Sequence, residues 1–447
     1  MTDARRSALE SLAADVVRQG LAGGAEEVEV TISDGREFGV DVRLGEIENL
    51  VEAAARHLEF RVIKDGRTAF GSTSDLSPET VKRLLRNAVR RAELASRDEF
   101  AGLPEPTGNQ VDPAALRLFD PGLAGLDPRR KIALALETER VALADKRITN
   151  SHGAGFASSE GTTVLATSRG FVGSYDQTFC SLSVGLQAGE TDDKAEDYWY
   201  TASRFFEELE SPETVGRRAV ERTVRQLNPR KIKTQTVPVI FEPDMSAWLV
   251  GFIFACVSGT AVYQKSTFLA DRLGKRIGNG KVTVIDDGLM PGKLGSRPFD
   301  GEALAGRRTE VVAGGLLRSF LCNAYAARKL GLEPTGNGDG TGVSPNNFYL
   351  SPGDRTPQEI IASTRQGLIL TRTIGHGLNP VTGDFSRGAF GLWIEGGEVA
   401  YPVAEITISG NLGTVLMSVE ELANDLDFRS PVCGPTLKVS ALTVAGE

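Results

Sequence analysis

The chain has 447 residues, 40% apolar and 24% charged, with a net charge of −9. That length asks for two or three domains, and the composition excludes a disordered chain. The acidic balance argues against a nucleic-acid binder, which would carry a basic patch or stripe; four scattered cysteines (Cys180, Cys256, Cys322, Cys433) exclude a disulfide framework and are expected to be reduced and mostly buried.

Residues 4–21 place Leu9, Leu12, Val16 and Val17 on one face of a helix. The segment has no apolar h-region, so no signal peptide is expected and the cytoplasm is the expected compartment. Half-buried strands follow, read from three alternations: Val28, Val30, Ile32; then Val40, Val42, Leu44; then Leu58, Phe60, Val62. Asp65-Gly66 is a hairpin turn signal. Ser77-Pro78-Glu79 opens a second helix. Residues 101–113, with three prolines, read as a linker.

Asp127-Pro128 starts another helix, and strand-like segments follow at 162–167, 170–175 and 178–186. Ser211-Pro212-Glu213-Thr214-Val215 then repeats the pentapeptide of Ser77–Val81, and an arginine-rich helix follows each copy. The matching order of elements points to two helix–meander–helix units, residues 1–100 and 114–228, in an N-terminal platform of helices and antiparallel sheet. From 230 to 447 strand-like runs alternate with glycine-rich turns, predicting a mostly β C-terminal domain with packed helices, expected at 245–257, 265–274 and 357–364. The fold class is therefore α+β. The uncharged stretch from Met245 to Gln264 is broken by Gly251 and Ser258-Gly259; it reads as a core helix rather than a membrane span. The loop at 333–348 is long enough to be functional.

The chemical motifs are mostly absent. The three histidines, His57, His152 and His376, are far apart; there is no HExxH or HExxxH, no GxSxG elbow and no Walker A. His57 opens a strand pattern and His152 lies in a polar stretch that reads as a turn. His376 sits in a glycine-flanked loop, TIGHGLNPVTGDFSRG. That loop is either a turn built for backbone reasons or a substrate-facing loop offering His376, Asn379, Thr382 and Gly383. Asp384 and Arg387 are expected to form a local ion pair that holds it.

The string GLILTRTIGHGLNPVTGDFSRGAFGLWIEGGEVAYPVAEITISGNL, with FLADRLGKRIGNGKVTVIDDG, PFDGE and LGLEPTGN, resembles the TldD/PmbA family in its TldE (PmbA) branch. The resemblance implies a subunit that pairs with a TldD-like, HExxxH-bearing chain into a metalloprotease heterodimer acting on extended peptides. It also implies an older association with modulation of DNA gyrase. The zinc and the catalytic motif are expected in the partner. Alignment on the strand at 238–241 and on FLADRLG puts Gly251, Phe252 and Cys256 where the TldD-type motif has its first histidine, glutamate and second histidine. This chain is therefore expected to bind no metal or cofactor and to contribute no catalytic group. Cys433 lies near the region of a further TldD-type ligand, within a different local string, and that role is not carried over. No membrane and no direct nucleic-acid partner are expected. An autonomous hydrolase with an unrecognised site and a gyrase-modulating interaction protein remain the alternatives.

Overall fold

The computed structural model describes residues 3–107, 111–190 and 194–446. In the N-terminal half, α1 (Asp3–Ala22) precedes a meander of β1 (Glu27–Arg43), β2 (Glu46–Lys64) and β3 (Arg67–Thr73), closed by α2 (Pro78–Leu94). After the short α3 (Pro121–Ala124), α4 (Pro128–Leu143) precedes β4 (Ile148–Thr167), β5 (Val172–Ala188) and β6 (Ala195–Ser203), closed by α5 (Pro212–Val224). The six strands form one sheet in the order β3-β2-β1-β4-β5-β6. Two helix–meander–helix units thus meet along the antiparallel β1–β4 seam. Gly35 faces Gly161 there. A Cβ on Gly35 would stand 2.8 Å from the Glu160 carbonyl oxygen, so the crossing needs glycine.

Both helix pairs cover the same face of the sheet. Val28, Val30, Ile32, Leu58, Phe60 and Val62 pack under α1 and α2. Phe38, Val40, Val42, Phe156, Leu182 and Val184 pack under α4 and α5. The strands are longer than the alternation suggested: β1 runs through two of the expected segments, and β5 joins 170–175 to 178–186. His152 lies within β4, not in a turn, because its glycine- and serine-rich neighbours still pair with β5. The expected linker is docked at Leu103, which is buried, and its residues 108–110 lie outside the described residues. Just beyond it Leu116 and Leu118 are buried, and the carbonyl oxygen of Leu116 accepts the Gly292 N–H at 2.8 Å.

The β1–β2 hairpin turns at Leu44 and Gly45, with φ of 52° and 82°. Leucine in that left-handed region is unfavourable, and the tip is held from outside. The buried carboxylate of Glu139 on α4 accepts both tip N–H groups, from Leu44 at 3.0 Å and Gly45 at 2.9 Å. Glu139→Ala strands both donors, and urea unfolding is expected to show a loss of about 2–3 kcal/mol. A loss below about 0.5 kcal/mol would mean that the tip is held without Glu139.

The C-terminal half begins with β7 (Gln235–Phe241), α6 (Pro243–Val257) and α7 (Gly259–Tyr263). A middle section carries β8 (Val284–Asp287), β9 (Arg308–Ala313), β10 (Leu316–Leu317), α8 (Ala324–Leu330), β11 (Gly338–Asp339), β12 (Gly342–Val343) and β13 (Asn347–Leu350). Then come α9 (Pro357–Ala362), β14 (Gln366–Ile374), β15 (Leu378–Asn379), β16 (Asp384–Glu395) and β17 (Glu398–Asn411). The chain finishes with α10 (Leu412–Met417), β18 (Val419–Leu422), β19 (Val432–Cys433) and β20 (Leu437–Ala445). One sheet runs β14-β7-β20-β17-β16-β15; because β14 also pairs with β16, five of its strands close on themselves. A second sheet runs β10-β9-β8-β13-β19. Helix α6 lies between the two sheets, in contact with β7, β14, β13 and β19. Among the described residues no helix is long and apolar enough to cross a membrane.

One expectation fails in this half. Residues 265–274 form turns, not a helix, with φ of +54° at Lys265 and +75° at Gly274. The 333–348 segment is anchored from within, while Asp339, Gly340 and Thr341 at its tip are exposed and line a cleft against the N-terminal sheet. Asn337, Asn346 and Asn347 are fully buried, and the amides of Asn337 and Asn346 both donate to the buried Asp286 carboxylate, at 2.8 and 2.7 Å.

The bare face of the N-terminal sheet packs on the C-terminal half. Phe171, Leu165, Phe299 and Ala303 form a small apolar cluster there. Arg204 spans the boundary, donating to the carbonyl oxygens of Lys293, Leu294 and Ser296. Glu29 and Arg61 from the sheet meet Glu302 from the other side, with Arg61 2.9 Å from Glu29 and 3.6 Å from Glu302.

Candidate functional site

Strand β7 runs straight into α6. Glu242 is the N-cap residue and Pro243 the first helical residue, a pairing that suits proline's fixed φ and missing N–H. The Glu242 side chain makes no capping bond; Arg225 holds it instead with two 2.7 Å contacts. Arg222 lies between Asp197, Glu242 and Asp244, and Arg429 pairs with Asp244 while stacking 4.1 Å from the Trp199 ring centroid. The start of α6 is thereby clamped to the N-terminal platform.

Along α6, Leu249, Val250, Phe252, Ile253, Cys256 and Val257 are buried in the largest core cluster. The other side, through Trp248, Gly251 and Ala255, is at least partly open. Gly251 faces β19: a Cβ there would have Val432 Cγ1 at 4.0 Å as its only near neighbour. Phe252 is 2% exposed and Cys256 is wholly enclosed. Burial pushes the Cys256 thiol up to about 12.

These residues do not fit a zinc ion. Glycine and phenylalanine offer no ligand atom, and a thiol held protonated in the core is a poor one. Cys433 lies on the strand beside Gly251, but its Sγ donates to the Ser430 carbonyl oxygen at 2.9 Å, and burial pushes it up to about 11. The histidines lie on separate elements: His57 exposed on β2, His152 on β4 3.5 Å from Glu196, and His376 in the β14–β15 connection. Among the described residues no three histidine, cysteine, aspartate or glutamate side chains gather as a metal site.

All four cysteines are free and buried, and burial pushes the Cys180 and Cys322 thiols up to about 12 as well. Ellman's reagent at pH 8 is therefore expected to find no reactive thiol in the native chain and four after denaturation. Rapid reaction of one native thiol would show that a cysteine has access to solvent and a stabilised thiolate.

The loop from Ile374 to Asp384 stands at the edge of the larger sheet, where β15 is the outermost strand. It gathers His376, Asn379, Thr382 and Gly383, but three of them build the turn. Asn379 Oδ1 accepts the Val381 N–H at 3.0 Å and its carbonyl oxygen accepts the Gly383 N–H at 2.8 Å. Thr382 Oγ1 accepts the Asp384 N–H at 3.3 Å. Gly383 has φ of +81° and packs on Phe268, where a Cβ would come within 3.0 Å of the ring. His376 is exposed, as are the neighbouring Ile374, Leu378 and Val381. Asn379 and Thr382 are exposed as well, but their side chains are engaged in the turn.

The expected Asp384–Arg387 pair does not form. Asp384 accepts from Asn411 Nδ2 at 2.8 Å, and its carboxyl is held below the ordinary range by that bond and by Thr382. Arg387 turns the other way, under the loop, with its guanidinium 5.2 Å from the Trp248 ring centroid. The sequence marked Arg387 only as a partner for Asp384, and did not mark Trp248. Their meeting joins the loop to α6.

Three domains of one family match the chain: PmbA/TldA metallopeptidase domain 1 at residues 28–92, the central domain at 121–227 and the C-terminal domain at 234–446. The metalloprotease PmbA of Escherichia coli O157:H7 is 36% identical over 447 residues, covering 100% of this chain and 98% of that one. A PmbA homologue of Haemophilus influenzae is 36% identical over 429 residues, 95% of this chain and 93% of its own. Among solved structures, a proposed modulator of DNA gyrase from Bacteroides thetaiotaomicron superposes with a TM-score of 0.90 at 26% identity, covering 100% of both chains. TldE from Thermococcus kodakarensis superposes at 0.88 and 24% identity, covering 97% of this chain and 100% of that one.

Proposed function

The chain belongs to the TldD/PmbA family of metallopeptidases, and on that premise we propose that it is a PmbA/TldE-type subunit without a catalytic centre of its own. It acts with a TldD-like, HExxxH-bearing partner that carries the zinc, and the pair cleaves extended peptides. The observation that carries this reading is the orientation of α6. The positions that would supply a general base and a second ligand, Phe252 and Cys256, point into a packed apolar core where a substrate has no entry. The part left to this subunit is holding the peptide. The exposed edge of β15 and the adjacent His376, Ile374, Leu378 and Val381 suit strand addition, in which main-chain hydrogen bonds supply affinity and side chains supply selection.

The test is a peptidase assay on the purified chain, alone and mixed with a TldD-like chain from the same cell. The expected result is no cleavage alone and cleavage by the mixture, lost when the partner's first motif histidine is replaced. Cleavage by this chain alone, surviving further purification, would overturn the proposal and favour an autonomous hydrolase. A second reading, modulation of gyrase, has the description of the Bacteroides neighbour in its favour. Binding to gyrase in the absence of a peptidase partner would support it.

A further inference from the structure

Two enclosed hydrogen-bond donors beside α6 have no acceptor. Arg387 lies on the β16 face that carries Phe385 and Ala389, the face turned to the core and to α6. Phe385 meets the Trp248 ring edge-on at 5.5 Å, and the Arg387 guanidinium lies 5.2 Å from the same ring. Arg387 Nε and Trp248 Nε1 are both shut off from solvent, and neither donates a hydrogen bond. Burial alone acts on the Arg387 pKa, downward; no carboxylate opposes it. Asp384, the nearest acid along the strand, is occupied by Asn411 and Thr382. Buried polar groups are nearly always paired, so two neighbouring enclosed N–H donors without an acceptor leave hydrogen-bonding capacity free at this place.

The place is also defined by what lies above it. Gly377 crosses the Arg387 stem so closely that a Cβ there would be 3.5 Å from Arg387 Cγ and 1.9 Å from the Ser386 carbonyl oxygen. Trp248 stands one turn before Gly251 on the open side of α6. The unpaired donors therefore lie between the loop that holds His376 and the helix turn without a side chain at Gly251.

We infer that Arg387 and Trp248 form a carboxylate-binding subsite that fixes one end or one acidic side chain of an extended peptide beneath the 374–383 loop. This rests on the peptide-holding reading above and deepens it. A monoanion matches the single positive charge, and a planar carboxylate matches the guanidinium fork. A phosphate dianion would leave one charge uncompensated. The cation–π contact with Trp248 orients the guanidinium but satisfies neither N–H.

The test is calorimetric titration of the full chain with N-acetylated, otherwise uncharged hexapeptides in four forms. These are a free C-terminal carboxylate, a C-terminal amide, an amide with one internal glutamate, and the same with glutamine. A preference of about tenfold or more for a carboxylate form over its neutral counterpart is expected, the range of a charge-assisted hydrogen bond. The free-acid/amide pair and the glutamate/glutamine pair separate a terminal carboxylate from a side-chain one. Arg387→Gln is expected to abolish the preference, bringing each carboxylate peptide to the affinity of its neutral counterpart. Trp248→Phe, which keeps a ring but removes the N–H, is expected to remove part of it. A preference that survives in Arg387→Gln, or equal binding of all four peptides to the wild type, overturns the subsite and leaves peptide holding intact. Failure of every peptide to bind overturns both.

Discussion

Arg61→Met is expected to destabilise the protein by about 3–5 kcal/mol at pH 8, the range for removing one partner of a buried ion group, and by much less at pH 5. Arg61 is the positive charge between Glu29 of the sheet and Glu302 of the C-terminal half, and all three are buried. Burial pushes the Glu29 carboxyl up to about 7, partly opposed by Arg61. Burial also raises Glu302, and neighbouring Asp300 raises it further. The native state therefore keeps a proton on Glu29 that the unfolded chain has released. Stability from this group is full below about 4.5, falls as pH rises, and is lost above about 7. Without Arg61 the ionised carboxylates lose the cation that pairs with both of them, and Arg328 acts on Glu302 alone. Their pKa values climb further, and the loss becomes larger and extends to higher pH. At pH 5 the Glu29 carboxyl is neutral and needs no counter-charge. Urea unfolding of wild type and variant at both pH values checks this. Equal losses at pH 5 and pH 8 would show that Arg61 acts by packing alone.

Phe252→Glu is expected to cost at least about 4 kcal/mol, since it removes a core aromatic and buries a carboxylate with no partner. Gly251→His is expected to change stability by no more than about 1 kcal/mol, because its Cβ enters open space and glycine is itself a poor helix residue. The triple variant with histidine at 251, glutamate at 252 and histidine at 256 is therefore expected to unfold more easily without gaining peptidase activity. Thermal melts of the single variants make the comparison. A stable Phe252→Glu protein would mean that this side of α6 can open, and the packed-core argument against a catalytic centre would fall.

The α+β class and the two meanders were readable because period-two alternation and proline-led helix starts are local signals. The full length of β4 was not: around Ser151, His152 and Gly153 the residues are small and polar, and only pairing with β5 makes them a strand. The helix expected at 265–274 failed because apolar spacing says nothing about the left-handed φ at its two ends. The Asp384–Arg387 pair failed for a geometric reason. Residues three apart face one another on a helix but lie on opposite faces of a strand, and this segment is β16. In the site, Gly251, Phe252 and Cys256 could be located along the chain, yet which of them faces the core depends on how α6 sits between two sheets. The meeting of Arg387 with Trp248, and of Arg61 with Glu302, joins residues more than a hundred positions apart, which local pattern does not encode.

The most direct test of a subunit without its own metal centre is zinc per chain. The measurement is elemental analysis of protein purified without a metal-affinity tag and dialysed. Near-zero zinc is the predicted result, with Gly251, Phe252 and Cys256 unable to hold the ion. One tightly held zinc per chain would contradict the account and direct the search for ligands to Cys256, Cys433 and the three histidines.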